Sequence, residues 1–160
     1  MTLPLTRRTV IGSAAALVFA STVRAETAHT VEMLNKHPDD KKLRNVFYPR
    51  IAVVEAGDTV RFAATDKGHN SEAVKDMLPD GVDTWKGRIN QEIEVVFTTP
   101  GFYGYRCTPH ANLGMFGLVI VKGEGMMANY EAAKGVRQRG KGKKVWEEIW
   151  AEVEGMELTA

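Results

Sequence analysis

A chain of 160 residues, 44% hydrophobic and 26% charged, is long enough for one domain with a genuine core and too short for two. Its formal charge of +1 gives no basic field with which to hold nucleic acid or an anionic membrane surface. The single cysteine, Cys107, excludes an internal disulfide.

The N-terminus has the parts of a secretory signal peptide. Arg7 and Arg8 precede an eleven-residue apolar run from Val10 to Ala20, and Val23-Arg24-Ala25 sets small residues three and one before a cut. The run is too short to span a bilayer. The arginine pair suits a twin-arginine route and an ordinary signal equally. Cleavage after Ala25 removes Arg7, Arg8 and Arg24 and no acidic residue, so the mature chain turns slightly negative. No later segment is apolar enough for a membrane anchor, and a soluble mature protein is expected.

From Thr30 the pattern changes to period two. Thr30 to Leu34 suits a strand, and Phe47 to Glu55 contains a β-rich run that turns at Ala56-Gly57-Asp58. Val60, Phe62 and Ala64 share one face, and Ile93, Val95 and Phe97 repeat the alternation. Thr99-Pro100-Gly101 breaks it, and Phe102 to Cys107 and Phe116 to Val121 read as the last two strands. Seven or eight short strands between Gly, Pro and Asp turns predict an antiparallel β-sandwich.

The C-terminal part is helical. Met126 to Lys134 favours a helix capped by Gly135, and Arg137 to Lys144 (RQRGKGKK) reads as a basic connector. Val145, Trp146, Ile149, Trp150 and Val153 then recur at helical spacing, with a stripe suited to burial against the sandwich. The expected organisation is a leader over 1–25, a sandwich over 26–125 and a helical extension over 126–160 packed on it.

The chemistry concentrates in Cys107-Thr108-Pro109-His110-Ala111-Asn112-Leu113-Gly114-Met115. A thiolate, an imidazole and a thioether lie within nine residues, in a loop between two strands. Lys67-Gly68-His69-Asn70 supplies a second imidazole. Two histidines and a cysteine, with a weak axial methionine, form the blue-copper electron-transfer site. Soft sulfur suits the monovalent ion and imidazole suits both oxidation states, so one copper ion cycling Cu(I)/Cu(II) is expected. Pro109 stiffens the loop, and Gly114 lets the backbone fold back towards Met115. Singly, each residue is a weak signal; together they are specific, and a structural zinc site draws on more cysteines or histidines. His29 and His37 read as solvated groups outside the site.

Over most of 26–125 the segments EMLNK, AGDTVRF, DKGHN, KDMLPDG and CTPH…GM resemble the pseudoazurins of the cupredoxin family, and the C-terminal helices extend the likeness. The resemblance implies an all-β class: a Greek-key antiparallel β-sandwich with two C-terminal α-helices. It implies ligands His69, Cys107, His110 and Met115, with Asn70 and Thr108 bracing the cysteine loop. It further implies a monomeric periplasmic electron carrier whose partners are redox proteins, a nitrite reductase or a c-type cytochrome. Electrons are expected to leave by the edge of His110, ringed by Pro109, Ala111 and Leu113. Phe116 either completes that ring or packs the loop. Lys36, Lys67, Lys75 and Lys86 are candidates for steering an acidic partner. The segment His37 to Asn45 is longer and more charged than the family pattern, and the basic connector is larger; both bear on the choice of partner.

Two other classes fit less well. A multicopper oxidase flanks its cysteine with histidines, whereas Arg106 and Thr108 flank Cys107 and the chain has 4 histidines in all. A carrier that hands over metal uses exposed methionine-rich or cysteine-rich sites, whereas Met126 and Met127 sit at a predicted helix start. An enzyme is not expected.

Overall fold

The structure is a computed structural model that describes residues 27–158. The expected leader lies outside the described residues. The strands are β1 (Ala28–Lys36), β2 (Arg44–Tyr48), β3 (Ile51–Glu55) and β4 (Asp58–Ala63), then β5 (Glu72–Ala73), β6 (Ile93–Phe97), β7 (Gly101–Arg106) and β8 (Phe116–Lys122). They form two four-stranded sheets, in the orders β2-β1-β4-β6 and β3-β8-β7-β5. The run from Phe47 to Glu55 is split by a cis Tyr48-Pro49 bond, with β2 in one sheet and β3 in the other.

The antiparallel expectation holds at the β1–β2, β4–β6, β5–β7 and β7–β8 seams. At two seams, β1–β4 and β3–β8, the strands run parallel. Neither parallel pair is consecutive in the chain. Each is joined through strands of the opposite sheet, which allows an entry direction that a tight hairpin forbids.

The second sheet is buried on both faces, and side-chain alternation explains how. Tyr103, Tyr105, Val119 and Val121 point inward with Val31, Met33, Phe47, Val60 and Phe62 of the first sheet, in the cluster that also holds Cys107 and Met115. Phe102, Leu118 and Ile120 point outward, under Trp146, Ile149, Trp150 and Val153. The first sheet keeps a wet face, with Val96 of the edge strand β6 56% exposed.

A 3-10 turn over Met126–Asn129 leads into α1 (Tyr130–Gly135), and α2 covers Lys141–Glu154. Gly135 is the last residue of α1 rather than a left-handed cap, and Val136 leaves the helix in an extended conformation. The basic connector is shorter than its composition suggests, because Lys141 to Lys144 form the first turn of α2. The glycine that disguised this is Gly142. A Cβ there would lie 3.0 Å from the Phe116 ring, so the helix gives up about 1 kcal/mol of propensity to approach the sheet closely. No helix among the described residues is long and apolar enough to cross a membrane.

Candidate metal centre

Backbone geometry fixes the loop after β7. A 3-10 turn runs over Thr108–Leu113, with Pro109 in its first turn and Gly114 closing it at φ 94°. That left-handed φ is open to glycine at little cost, and a Cβ would also meet Val145 of α2 at 3.0 Å. Three backbone bonds then fold the loop on itself: Cys107 N–H to Met115 O (3.0 Å), His110 N–H to Cys107 O (3.1 Å) and Met115 N–H to His110 O (3.2 Å). Met115 enters the inner core, 1% exposed, beside a fully buried Cys107.

His69 arrives from the other side of the sandwich, in the long segment between β4 and β5. It is fully buried, whereas His110 is half-buried. Cys107 Sγ lies 3.7 Å from His69 Nδ1 and 3.4 Å from His110 Nδ1. Among the described residues, His69, Cys107 and His110 form the one cluster of such groups able to hold a metal ion, with donor atoms within 4.8 Å of one another. The separations are close to what one shared ion requires. An ion about 2.0 Å from nitrogen and about 2.3 Å from sulfur holds two such donors about 3.5–3.7 Å apart.

Protonation agrees with this role. His69 Nε2 meets Asn35 Oδ1, an acceptor, at 3.0 Å, so the proton sits on Nε2 and Nδ1 keeps its lone pair. Burial lowers the His69 pKa, His110 lowers it further and Asp66 opposes the shift, and the net lowering favours the neutral ring. Burial pushes the Cys107 thiol up, against the backbone N–H groups of Asn70 and His110. A cation at the site favours formation of the thiolate.

Asn70, 2% exposed, spans the two loops. Its Oδ1 accepts the Thr108 N–H at 2.8 Å, and its Nδ2 donates to Thr108 Oγ1 and to Gly87 O, each at 3.0 Å. Asn70→Ala leaves buried backbone groups unpaired and is expected to cost about 2–3 kcal/mol and to weaken metal binding about 10–100-fold. Denaturant unfolding of the metal-free protein and a competition titration measure the two effects separately.

The remaining histidines sit apart from the cluster, but neither is simply solvated. His29 Nε2 lies 3.0 Å from Asp58 Oδ2 and covers a carboxylate that is 2% exposed. His37 Nδ1 accepts the N–H groups of Asp39 (3.2 Å) and Asp40 (3.1 Å) and so holds its own turn. Phe116 is a packing residue, 7% exposed and 5.7 Å from the Trp146 ring, and adds nothing to the surface. Pro109 and Leu113 are exposed, the latter by 51%, and Ala111 is half-buried. Lys36, Lys67, Lys75 and Lys86 are all exposed.

Three supporting residues escape sequence reasoning. Asn35 orients His69. Asn90 grips the same loop from the other side, accepting the Gly68 N–H on its side chain (2.6 Å) and donating its own N–H to His69 O (2.9 Å). Glu72 accepts the Thr108 hydroxyl at 2.7 Å. Asn35 lies inside the EMLNK motif, which was a usable signal; for Asn90 and Glu72 the local sequence holds none.

Comparison with known proteins agrees with the geometry. Residues 31–122 match the model of the plastocyanin/azurin family of copper binding proteins. A pseudoazurin from Paracoccus pantotrophus is 43% identical over 109 residues, 68% of this chain and 73% of that one. The chain belongs to the pseudoazurins. The pseudoazurin of Methylorubrum extorquens is 36% identical over 149 residues, 92% of this chain and 97% of its own. Among solved structures, a pseudoazurin from Sinorhizobium superposes with a TM-score of 0.74 at 45% identity, covering 81% of this chain and 98% of the other. The fold is therefore the cupredoxin sandwich with the C-terminal helices of a pseudoazurin. As a member of that family the chain is a type 1 copper protein, an electron carrier between other redox proteins and not an enzyme.

Proposed function

We propose that His69, Cys107, His110 and Met115 hold the copper, and that the chain works in the periplasm as a monomeric one-electron shuttle. When bound, the copper supplies one-electron exchange between its monovalent and divalent states. The protein supplies a donor set that is held before and after exchange. Asn35 locks the His69 ring, Asn70 and Thr108 brace the cysteine loop, and the strands beneath keep water from Cys107. The observation that carries the reading is the asymmetry of the two histidines, one wholly buried and one only half-buried beside exposed Pro109 and Leu113. Electrons then pass through the edge of His110, and Pro109, Ala111 and Leu113 offer a small apolar face for brief docking.

Export follows from residues 1–25 read as a signal peptide. The partner we favour is a denitrification enzyme such as nitrite reductase, with a c-type cytochrome as the other exchange partner. The test is to mix the reduced, copper-loaded protein with nitrite reductase and nitrite and follow its colour. Return of the blue colour only when both are present supports the pairing, and no return with active enzyme removes it.

Exposed Lys36, Lys67 and Lys86 stand close to the site through their neighbours. Lys36 follows Asn35, Lys67 precedes Gly68 and His69, and Lys86 pairs with Glu72 at 2.9 Å. Replacing the three with glutamate is expected to slow association with an acidic partner about tenfold or more at low salt, with the rates converging as salt rises. Stopped-flow rates at two ionic strengths decide it, and equal rates at low salt remove the steering role.

A further inference from the structure

Glu72 stands beside the copper loop without a part in the electron route. It opens β5, a strand of two residues, paired antiparallel with Arg106 and bridged to Lys86. Its side chain is 13% exposed, and both oxygens are engaged. Oε1 accepts from Lys86 Nζ at 2.9 Å, while Oε2 accepts from Arg106 Nε at 3.0 Å and from the Thr108 hydroxyl at 2.7 Å.

The Thr108 hydroxyl has one proton. It already accepts from Asn70 Nδ2 at 3.0 Å, so its own proton points to Glu72. The chain of donors therefore runs Asn70 to Thr108 to Glu72, and the residue next to Cys107 is tied to a fixed negative charge. Such bonds to an ionised acceptor are roughly twice as strong as neutral ones. Burial works against that charge, but hydrogen bonds from Thr108, Lys86 and Arg106 outweigh it and hold the carboxyl down to about 2.

We infer that Glu72 is a positioning residue of the copper loop: it anchors Thr108, and its carboxylate biases the site towards the oxidised state. The inference rests on the ligand set proposed above. The oxidised site carries one more positive charge than the reduced one, so a nearby anion favours it. Glu72→Gln keeps an acceptor for Thr108 and removes the charge, leaving Lys86 and Arg106 uncompensated. That single unit of added positive charge favours the reduced form.

The experiment compares wild type, Glu72→Gln and Glu72→Asp in two measurements. One is the redox equilibrium of the copper-loaded protein against a fixed mediator, with its visible spectrum. The other is amide hydrogen exchange at Thr108 in the copper-free protein. Glu72→Gln is expected to shift the equilibrium towards the reduced form about threefold or more, and, because a neutral acceptor holds the Thr108 hydroxyl less firmly than an ionised one, to loosen the loop and speed exchange of the Thr108 amide about fivefold. Glu72→Asp keeps the charge on a shorter arm, so it restores most of the equilibrium while exchange stays fast. A blue wild type with neither quantity moved by Glu72→Gln overturns the inference, as do equal redox shifts in the Gln and Asp variants. A wild type that stays colourless with copper overturns the ligand set instead.

Discussion

Cys107→Ser is expected to leave the oxidised protein without intense visible colour and unable to pass electrons at a useful rate. A serine hydroxyl is a hard donor that does not ionise near neutral pH, so the charge-transfer band and the soft donor favouring the monovalent state vanish together. The metal affinity should fall by more than the ~10–100-fold that loss of an outer hydrogen-bond partner costs. The fold should survive, because the loop's closing bonds are made by backbone atoms: Cys107 N–H to Met115 O at 3.0 Å and His110 N–H to Cys107 O at 3.1 Å. Visible absorption, reduction kinetics and circular dichroism of the variant check all three points. A strongly coloured, competent Cys107→Ser protein contradicts the proposed centre.

Trp150→Ala is expected to be the most damaging single change outside the centre, with a cost of about 3–5 kcal/mol. Trp150 is 6% exposed, and its ring lies 6.0 Å from that of Phe102, 5.6 Å from Tyr130 and 5.8 Å from Trp146. It joins α1, α2 and the outer face of β7 in one cluster. The melting temperature should fall by about 10 °C or more. The visible spectrum should stay unchanged, because Cys107 and Met115 belong to the cluster between the sheets and Trp150 to the one outside. A melting shift below about 3 °C denies the helix its share of the stability.

The two variants divide the molecule along its double-sided sheet. In β7 and β8, alternate residues face the core that holds Cys107 and Met115 and the helices, so the strand that ends one residue before Cys107 is clamped from both sides. That arrangement keeps the donor loop on rigid elements, where a binding constellation is held best.

The residues alone determined the loop chemistry. Cys107, His110 and Met115 are close in sequence, and Pro109 and Gly114 restrict the few paths the backbone takes between them. Loop closure over so few residues leaves little for the rest of the protein to decide. Alternation in β4 and β6 and the apolar stripe of α2 were legible for the same reason, since each pattern is read within its own element. His69 was legible as a donor type, but its meeting with Cys107, 38 residues away, is the work of the sandwich. Tertiary structure alone decided the parallel seams, the burial of Phe116 against Gly142, and the duties of Asn35, Asn90 and Glu72. Those are ordinary polar or small residues whose meaning lies in what faces them across strand register and sheet packing. Register is set by burial summed over many distant contacts, and no short window of residues contains that sum.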